Sequence, residues 1–325
     1  MTSPFDGFEV EKAMRPSARG VAFDLDQSLA ALVVLHSRVP SDAFTARSLG
    51  SERLGNGIVI GTSGLVLTIG YLITEADDVT LFINDGRRVP AHVLGYDQVT
   101  GLGLVQALEP LDLPALPLGD SRRLSDEDPI ILAGGGGLAH AIAGRVIARQ
   151  SFAGSWEYFL EDALFTAPGH PHWSGAALIG PSGALMGVGS LQMNQITSTG
   201  QLARINMCVP IELLPPILDD LSRGRPAHPP RPWLGVLSQD DGENVVVLDV
   251  SPDGPAARAE MRRGDAILAV AGRPVGNLGD FYEALWSLGP AGVVAPLRIK
   301  READVFDLEV RTIDRASKLK KRRLN

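Results

Sequence analysis

The sequence predicts a mainly β protein: two six-stranded β-barrels in succession, followed by a smaller α+β domain. Three observations carry this expectation. Among 325 residues there are 36 glycines and 23 prolines but only 6% aromatics, a composition of many turns and short strands rather than long helices. Runs rich in Val, Ile and Leu recur at strand length from Ser28 to about Pro210, and they fall into two sets of about six. Finally, RGRPAHPPRP at residues 223–232 carries four prolines in ten residues and reads as a stiff linker.

Taken in order, residues 1–27 form a weakly patterned arm with Phe5, Phe8 and Phe23 spread among charges. It reads either as packing on its own domain or as an aromatic docking arm for another subunit or protein. The first barrel then takes SLAALVVL, GIVIG, LVLTIGYLI, DVTLFI and VPAHVLGYD. DVTLFI and VPAHVL are joined by NDGRR, where Asn84, Asp85 and Gly86 suit a hairpin turn. LDLPALPLGDS, Leu111 to Ser121, connects to the second set: DPIILAG, GRVIARQ, FLEDALFT, GAALIG, LMGVGSL and INMCVPI. In IELLPPILDDLSRG, Leu213, Leu214, Ile217, Leu218 and Leu221 recur at helical spacing, which predicts one helix with Pro215 and Pro216 in its first turn and Gly224 at its end. The predicted organisation is therefore an arm (1–27), a double barrel (28–222), a linker (223–232), an α+β domain (233–312) and a basic tail (313–325) whose RASKLKKRRLN holds six bases and no acid. Such a tail is either solvated or a weak docking signal for an acidic surface.

Composition also excludes classes. A net charge of −8 and a pI near 5.3 argue against a surface that grips nucleic acid. With 45% hydrophobic and 21% charged residues the chain is not disordered. The one cysteine, Cys208, lies in an apolar run and serves neither a disulfide nor a thiolate metal site. No apolar run approaches the ~20 residues of a membrane span. The N-terminus MTSPFDGFEVEK has no apolar stretch of a secretory signal, so the expected location is the cytoplasm.

Several segments occur in a telling order: GNGIVIGTSGLVLT, DDVTLFINDGRRVPAHVLGYD, LPALPLGDS, HWSGAAL, INMCVPIELL and RPWLGV, then SPDGPAARAEMRRGD and AILAVAGRPV. Together, over roughly residues 28–312, they resemble the HtrA (DegP/Deg) family, in which a trypsin-like (chymotrypsin-type) double β-barrel protease precedes a PDZ domain. The resemblance implies a serine protease triad, and the three positions depart from it. Where the family has its histidine, this chain has Tyr71 in LTIGYLI. Where it has its aspartate, Gly101 stands in TGLGLV. The nucleophile Ser174 remains, but in HWSGAAL the preceding family glycine has become His172, followed by Trp173.

The chemistry gives these departures their meaning. A serine hydroxyl needs a neighbouring base to become a nucleophile. A phenol with an ordinary pKa near 10 is protonated at neutral pH and is no base. Gly101 has no side chain to orient an imidazole. Losing triad members costs on the order of 10⁴–10⁶ in rate. The oxyanion turn is altered as well, since the resemblance implies glycine where His172 stands and Pro171 stiffens the approach. No lysine lies between residues 13 and 299, which leaves no Ser–Lys dyad within the barrels. His170 and His172 read as plain loop histidines, as an improvised base for Ser174, or as a weak two-histidine metal site. Gly134–Gly137 lacks the Lys-Ser/Thr of a phosphate loop. No cofactor is expected.

In the PDZ-like part, the resemblance implies that an extended C-terminal peptide adds a strand to a sheet edge and that backbone amides hold its carboxylate. The loop is Trp233-Leu234-Gly235-Val236, the pairing strand includes Leu237 and Ser238, and Phe281 and Leu285 are the expected pocket walls. The site is open to partners or filled by the protein's own chain. The combined expectation is a catalytically inactive HtrA-like scaffold that binds protein C-termini or extended peptides and assembles as a trimer or docks through its arm. A weak serine endopeptidase using Ser174 and a histidine-based metal-binding module are the alternatives.

Overall fold

The computed structural model describes residues 4, 5, 7–196 and 200–320. It divides into two compact units. One comprises the described residues up to Gln150, Asp162–Ala227 and Lys320; the other comprises Ser151–Glu161 and His228–Leu319.

The first unit opens with the arm, which returns onto its own chain. Val10 donates its amide to the Ala139 carbonyl at 2.8 Å and is buried with Leu132, Ile142 and Leu178. A short helix, α1 (Leu25–Ala30), is capped by the Asp24 carboxylate, which accepts from the Gln27 amide. Six strands follow around α2 (Ala46–Leu49): β1 (Leu32–Arg38), β2 (Glu52–Gly61), β3 (Leu65–Ile69), β4 (Asp78–Phe82), β5 (Arg88–Tyr96) and β6 (Leu102–Ala107). They close a barrel in the order β1-β2-β3-β6-β5-β4. The Asn84-Asp85-Gly86 segment turns β4 into β5 as expected, with Gly86 at φ +90°. The connector buries Leu111 and Leu116, and the Leu116 amide donates to Val59.

A second set, β7 (Pro129–Ala133), β8 (Ala141–Gly154), β9 (Tyr158–Ala167), β10 (Ala177–Ile179), β11 (Leu185–Ile196) and β12 (Leu202–Pro210), closes in the order β10-β11-β12-β9-β8-β7. Cys208 is fully buried in β12, where burial pushes its thiol up to about 12. The single helix expected over 211–224 is instead a 3-10 turn at Ile211–Leu213 and a separate five-residue helix, α3 (Leu218–Ser222). Pro215 and Pro216 lie between them and interrupt the helical ladder, because neither has an N–H to donate. The apolar spacing still does its work: Leu214, Ile217 and Leu221 are buried.

The second unit holds β13 (Val236–Asp240), β14 (Val245–Val250), α4 (Pro255–Arg258), β15 (Ala266–Val270), β16 (Arg273–Pro274), α5 (Leu278–Trp286), β17 (Val294–Arg301) and β18 (Asp304–Arg311). The sheet runs β13-β14-β15-β17-β18, with β16 paired to β15. Its core gathers Val245, Val247, Ile267, Leu297 and Ile299 from the strands with Phe281, Tyr282 and Leu285 from α5. The Asn277 side chain caps α5 by accepting from the Asp280 amide. The tip of the β8–β9 hairpin, Ser151–Glu161, belongs to this unit, whereas the sequence reads it with the second barrel. The basic tail forms a 3-10 turn at Arg315–Lys318, and residues 321–325 fall outside the described residues. Among the described residues no helix is long and apolar enough to cross a membrane.

Candidate functional site

The three positions that the resemblance aligns with a protease triad converge in the first unit. After β3 the chain makes a 3-10 turn, Gly70–Leu72, with Tyr71 at its centre. The Gly70 amide donates to the Gly101 carbonyl at 2.7 Å, so Gly101 sits beside the Tyr71 turn with no side chain to contribute. Ser174 lies in the loop before β10, half-buried. Its turn requires glycine next: Gly175 has φ +73°, and a Cβ there would lie 2.1 Å from the Asn56 carbonyl oxygen.

Tyr71 Oη lies 2.7 Å from Ser174 Oγ and 2.8 Å from the carbonyl oxygen of Ser190. A carbonyl only accepts, so the single phenolic proton goes to Ser190 and the Ser174 hydroxyl donates to the phenol oxygen. Burial holds the Tyr71 hydroxyl far above its ordinary titration range, outweighing its hydrogen bonds to Ser174 and Trp173. The group facing the nucleophile is therefore a neutral phenol whose proton is already committed.

The oxyanion side is also spent. The His172 amide donates to Nδ1 of His170 at 3.0 Å. That bond makes Nδ1 an acceptor, so the other ring nitrogen, Nε2, carries the proton and donates to the His140 carbonyl at 3.0 Å. His170 is fully buried, and desolvation lowers it to about 4, so it is neutral at pH 7. Both its nitrogens serve the backbone, which leaves no lone pair for a metal and no base for Ser174. His172 lies between Phe5 and Phe8, with ring centroids 4.2 and 4.3 Å away. Burial lowers its pKa first, and the neighbouring His140 adds to the effect. Among the described residues no group of three His, Cys, Asp or Glu is placed to hold a metal.

Sequence reasoning missed the residue that organises this loop. Asn56 on β2 is fully buried, and its amide nitrogen donates to the carbonyls of His172 at 2.9 Å and Ser174 at 3.1 Å. Its Oδ1 accepts from the Gly135 amide at 3.0 Å, and its own backbone amide donates to Ser174 at 2.8 Å. The available signal was a lone amide side chain between two glycines, at the start of the apolar run of β2.

The second unit holds the other expected site. Leu234 and Val236 are buried, and Gly235 between them has φ +82°; a Cβ there would meet the Trp233 ring at 2.9 Å. Three consecutive amides in this loop donate to a single carboxylate, that of Glu157. Leu234 reaches Oε2 at 2.9 Å, while Gly235 and Val236 reach Oε1 at 2.7 and 3.1 Å. Two residues earlier, the Ser155 carbonyl accepts from the Ser238 amide on β13 at 2.9 Å. Tyr282 Oη on α5 donates to the Gly154 carbonyl at 2.7 Å and accepts from the Glu157 amide at 3.2 Å. Phe281 and Leu285, the candidate pocket walls, are fully buried, and Ala153 and Phe159 of the hairpin pack on their core. Leu237 is 41% exposed, as a side chain on the outer face of β13 should be. Sequence reasoning did not find Glu157, because nothing local marks a turn glutamate as a ligand for amides 77–79 residues away.

Two closed antiparallel barrels with a serine loop, followed by a five-strand-path sheet with an amide-rich loop, define a trypsin-like peptidase domain joined to a PDZ domain. A trypsin-like peptidase domain model matches residues 55–188 and a PDZ domain model matches residues 232–312. A DegP-like periplasmic serine endoprotease of Halomonas elongata is 26% identical over 267 residues, covering 77% of this chain and 54% of that protein. The serine endoprotease DegS of Escherichia coli is 27% identical over 272 residues, covering 79% and 76%. The chain spans about half the length of the DegP-like relatives it matches. Two solved structures share the fold: HtrA-type protease AlgW with a decapeptide (TM-score 0.53, 21% identity, 90% of this chain and 99% of that one) and with a tripeptide (0.51, 22%, 89% and 95%). The chain thus carries a trypsin-like peptidase domain and a PDZ domain in the same order as the HtrA/DegP-type proteins to which it is similar.

Proposed function

We propose that this chain is a catalytically inactive HtrA-like protein that acts as a binding scaffold. It receives protein C-termini or extended peptides at its PDZ loop, and other extended segments at the barrel cleft. The observation that carries the reading is the 2.7 Å contact between Ser174 Oγ and a neutral tyrosine hydroxyl. Acyl transfer from serine needs a group that takes the hydroxyl proton at neutral pH, and a phenol pushed up by burial does not. The engaged His172 amide points the same way, since one absent oxyanion donor alone costs about 10²–10³ in kcat.

A second reading, weak serine endopeptidase, is favoured by the retained Ser174 and by relatives named as serine endoproteases. Labelling with a fluorophosphonate probe, together with turnover of unfolded casein, separates the two. The scaffold reading expects neither labelling nor turnover above that of Ser174→Ala. Labelling or cleavage that disappears in Ser174→Ala would overturn it.

A further inference from the structure

The Glu157 contacts do more than close a turn. The loop that the PDZ fold uses for a peptide carboxylate holds a side-chain carboxylate with all three of its consecutive amides. The chain leading into it contributes a backbone hydrogen bond to β13 at Ser155, as an added strand does. Apolar side chains from the same segment, Ala153 and Phe159, pack against the core that includes α5. A Cβ on Gly279, in the first turn of α5, would lie 3.3 Å from the Phe159 ring, so the ring rests directly on that helix. Glu157 itself sits at φ +59°, a left-handed conformation that is unfavourable for a non-glycine residue and persists only where surrounding contacts impose it.

We infer that the hairpin tip Ser151–Glu161 is an internal ligand of the PDZ groove, with Glu157 as a surrogate C-terminus, and that foreign C-termini bind by displacing it. This rests on the scaffold reading for the partner, but not for the internal ligand. The displacing group is specified by the chemistry: a free α-carboxylate at the end of an extended chain. A chain with an amidated end offers no second oxygen for the loop and does not compete. A tethered ligand acts at high effective concentration, so the resting groove accepts a visitor only in the fraction of molecules whose tip has left.

Hydrogen exchange on the full chain tests this. The amides of Leu234, Gly235 and Val236 are protected by Glu157 and not by the sheet. In Glu157→Ala they are expected to exchange at least about tenfold faster, while amides of β15 and β17 stay unchanged and report an intact fold. Glu157→Gln preserves side-chain size should the alanine variant fail to fold, and a smaller acceleration is expected because one oxygen replaces two. Decapeptides ending in Val or Leu, free and amidated, are then titrated into wild type and variant. Binding of the free-acid forms only, about tenfold or more tighter to Glu157→Ala, completes the expectation. Unchanged exchange in both variants overturns the internal ligand whatever the peptides do. Accelerated exchange with no peptide bound by either protein upholds the internal ligand and overturns the scaffold reading.

Discussion

Raising the pH is expected to weaken the hold of Glu157 on the PDZ loop. Burial raises Glu157 from the ordinary 4.5 to about 7, outweighing the Leu234, Val236 and Gly235 amides and the Arg315 charge that pull it down. The other titratable group against it, Tyr282, is held protonated across this range by burial and by the Glu157 charge. A carboxyl whose docked pKa exceeds its free value favours docking most below the free value. Its contribution fades as pH climbs from about 4.5 to about 7 and is flat beyond. The whole window amounts to about 3 kcal/mol, or roughly two orders of magnitude in the docking equilibrium. The assay is the protection factor of the Leu234, Gly235 and Val236 amides, with intrinsic rates divided out, between about pH 5 and pH 8. Protection should fall by up to about a hundredfold in wild type and stay level in Glu157→Gln. A level wild-type profile, or an equal slope in the glutamine variant, would refute the reasoning.

Two predictions concern the barrels. Asn56→Ala strands the Gly135 amide and the His172 carbonyl, while the Ser174 carbonyl keeps its bond from the backbone of residue 56. At about 1–3 kcal/mol for each stranded group, the midpoint of thermal unfolding by circular dichroism should fall by on the order of 10 °C. A midpoint within about 2 °C of wild type would count against the role given to Asn56. His170 has a depressed pKa, so its contribution is complete above 6.5 and is lost as pH falls through about 4. Denaturant unfolding should therefore show up to about 3 kcal/mol of acid destabilisation, reduced in His170→Gln; identical pH profiles for the two proteins would contradict a buried neutral imidazole.

Much of this molecule was legible because its signals are local. The β4–β5 hairpin announced itself through Asn84-Asp85-Gly86, and the PDZ loop through Leu234-Gly235-Val236, since each needs only a few adjacent residues to state its geometry. The placement of Tyr71 opposite Ser174 was legible through the resemblance, although the two are 103 residues apart. What escaped depends on pairs that sequence spacing does not encode. Glu157 looks like any hairpin-tip glutamate until the fold brings three amides to it. The helix expected over 211–224 is divided for a local reason: the apolar spacing buries Leu214, Ile217 and Leu221, but two adjacent prolines break the ladder between them. His170 offered two roles in the sequence, and its hydrogen bonds leave it neither.

Asn56 ties a strand of the first barrel to carbonyls 116 and 118 residues further along the chain. Contacts of such separation are made late, after the intervening loops have been closed. The amino-terminal half of the chain thus emerges from synthesis carrying an amide with nothing to hold, and the serine turn has no reason to adopt its final path until that amide is in place.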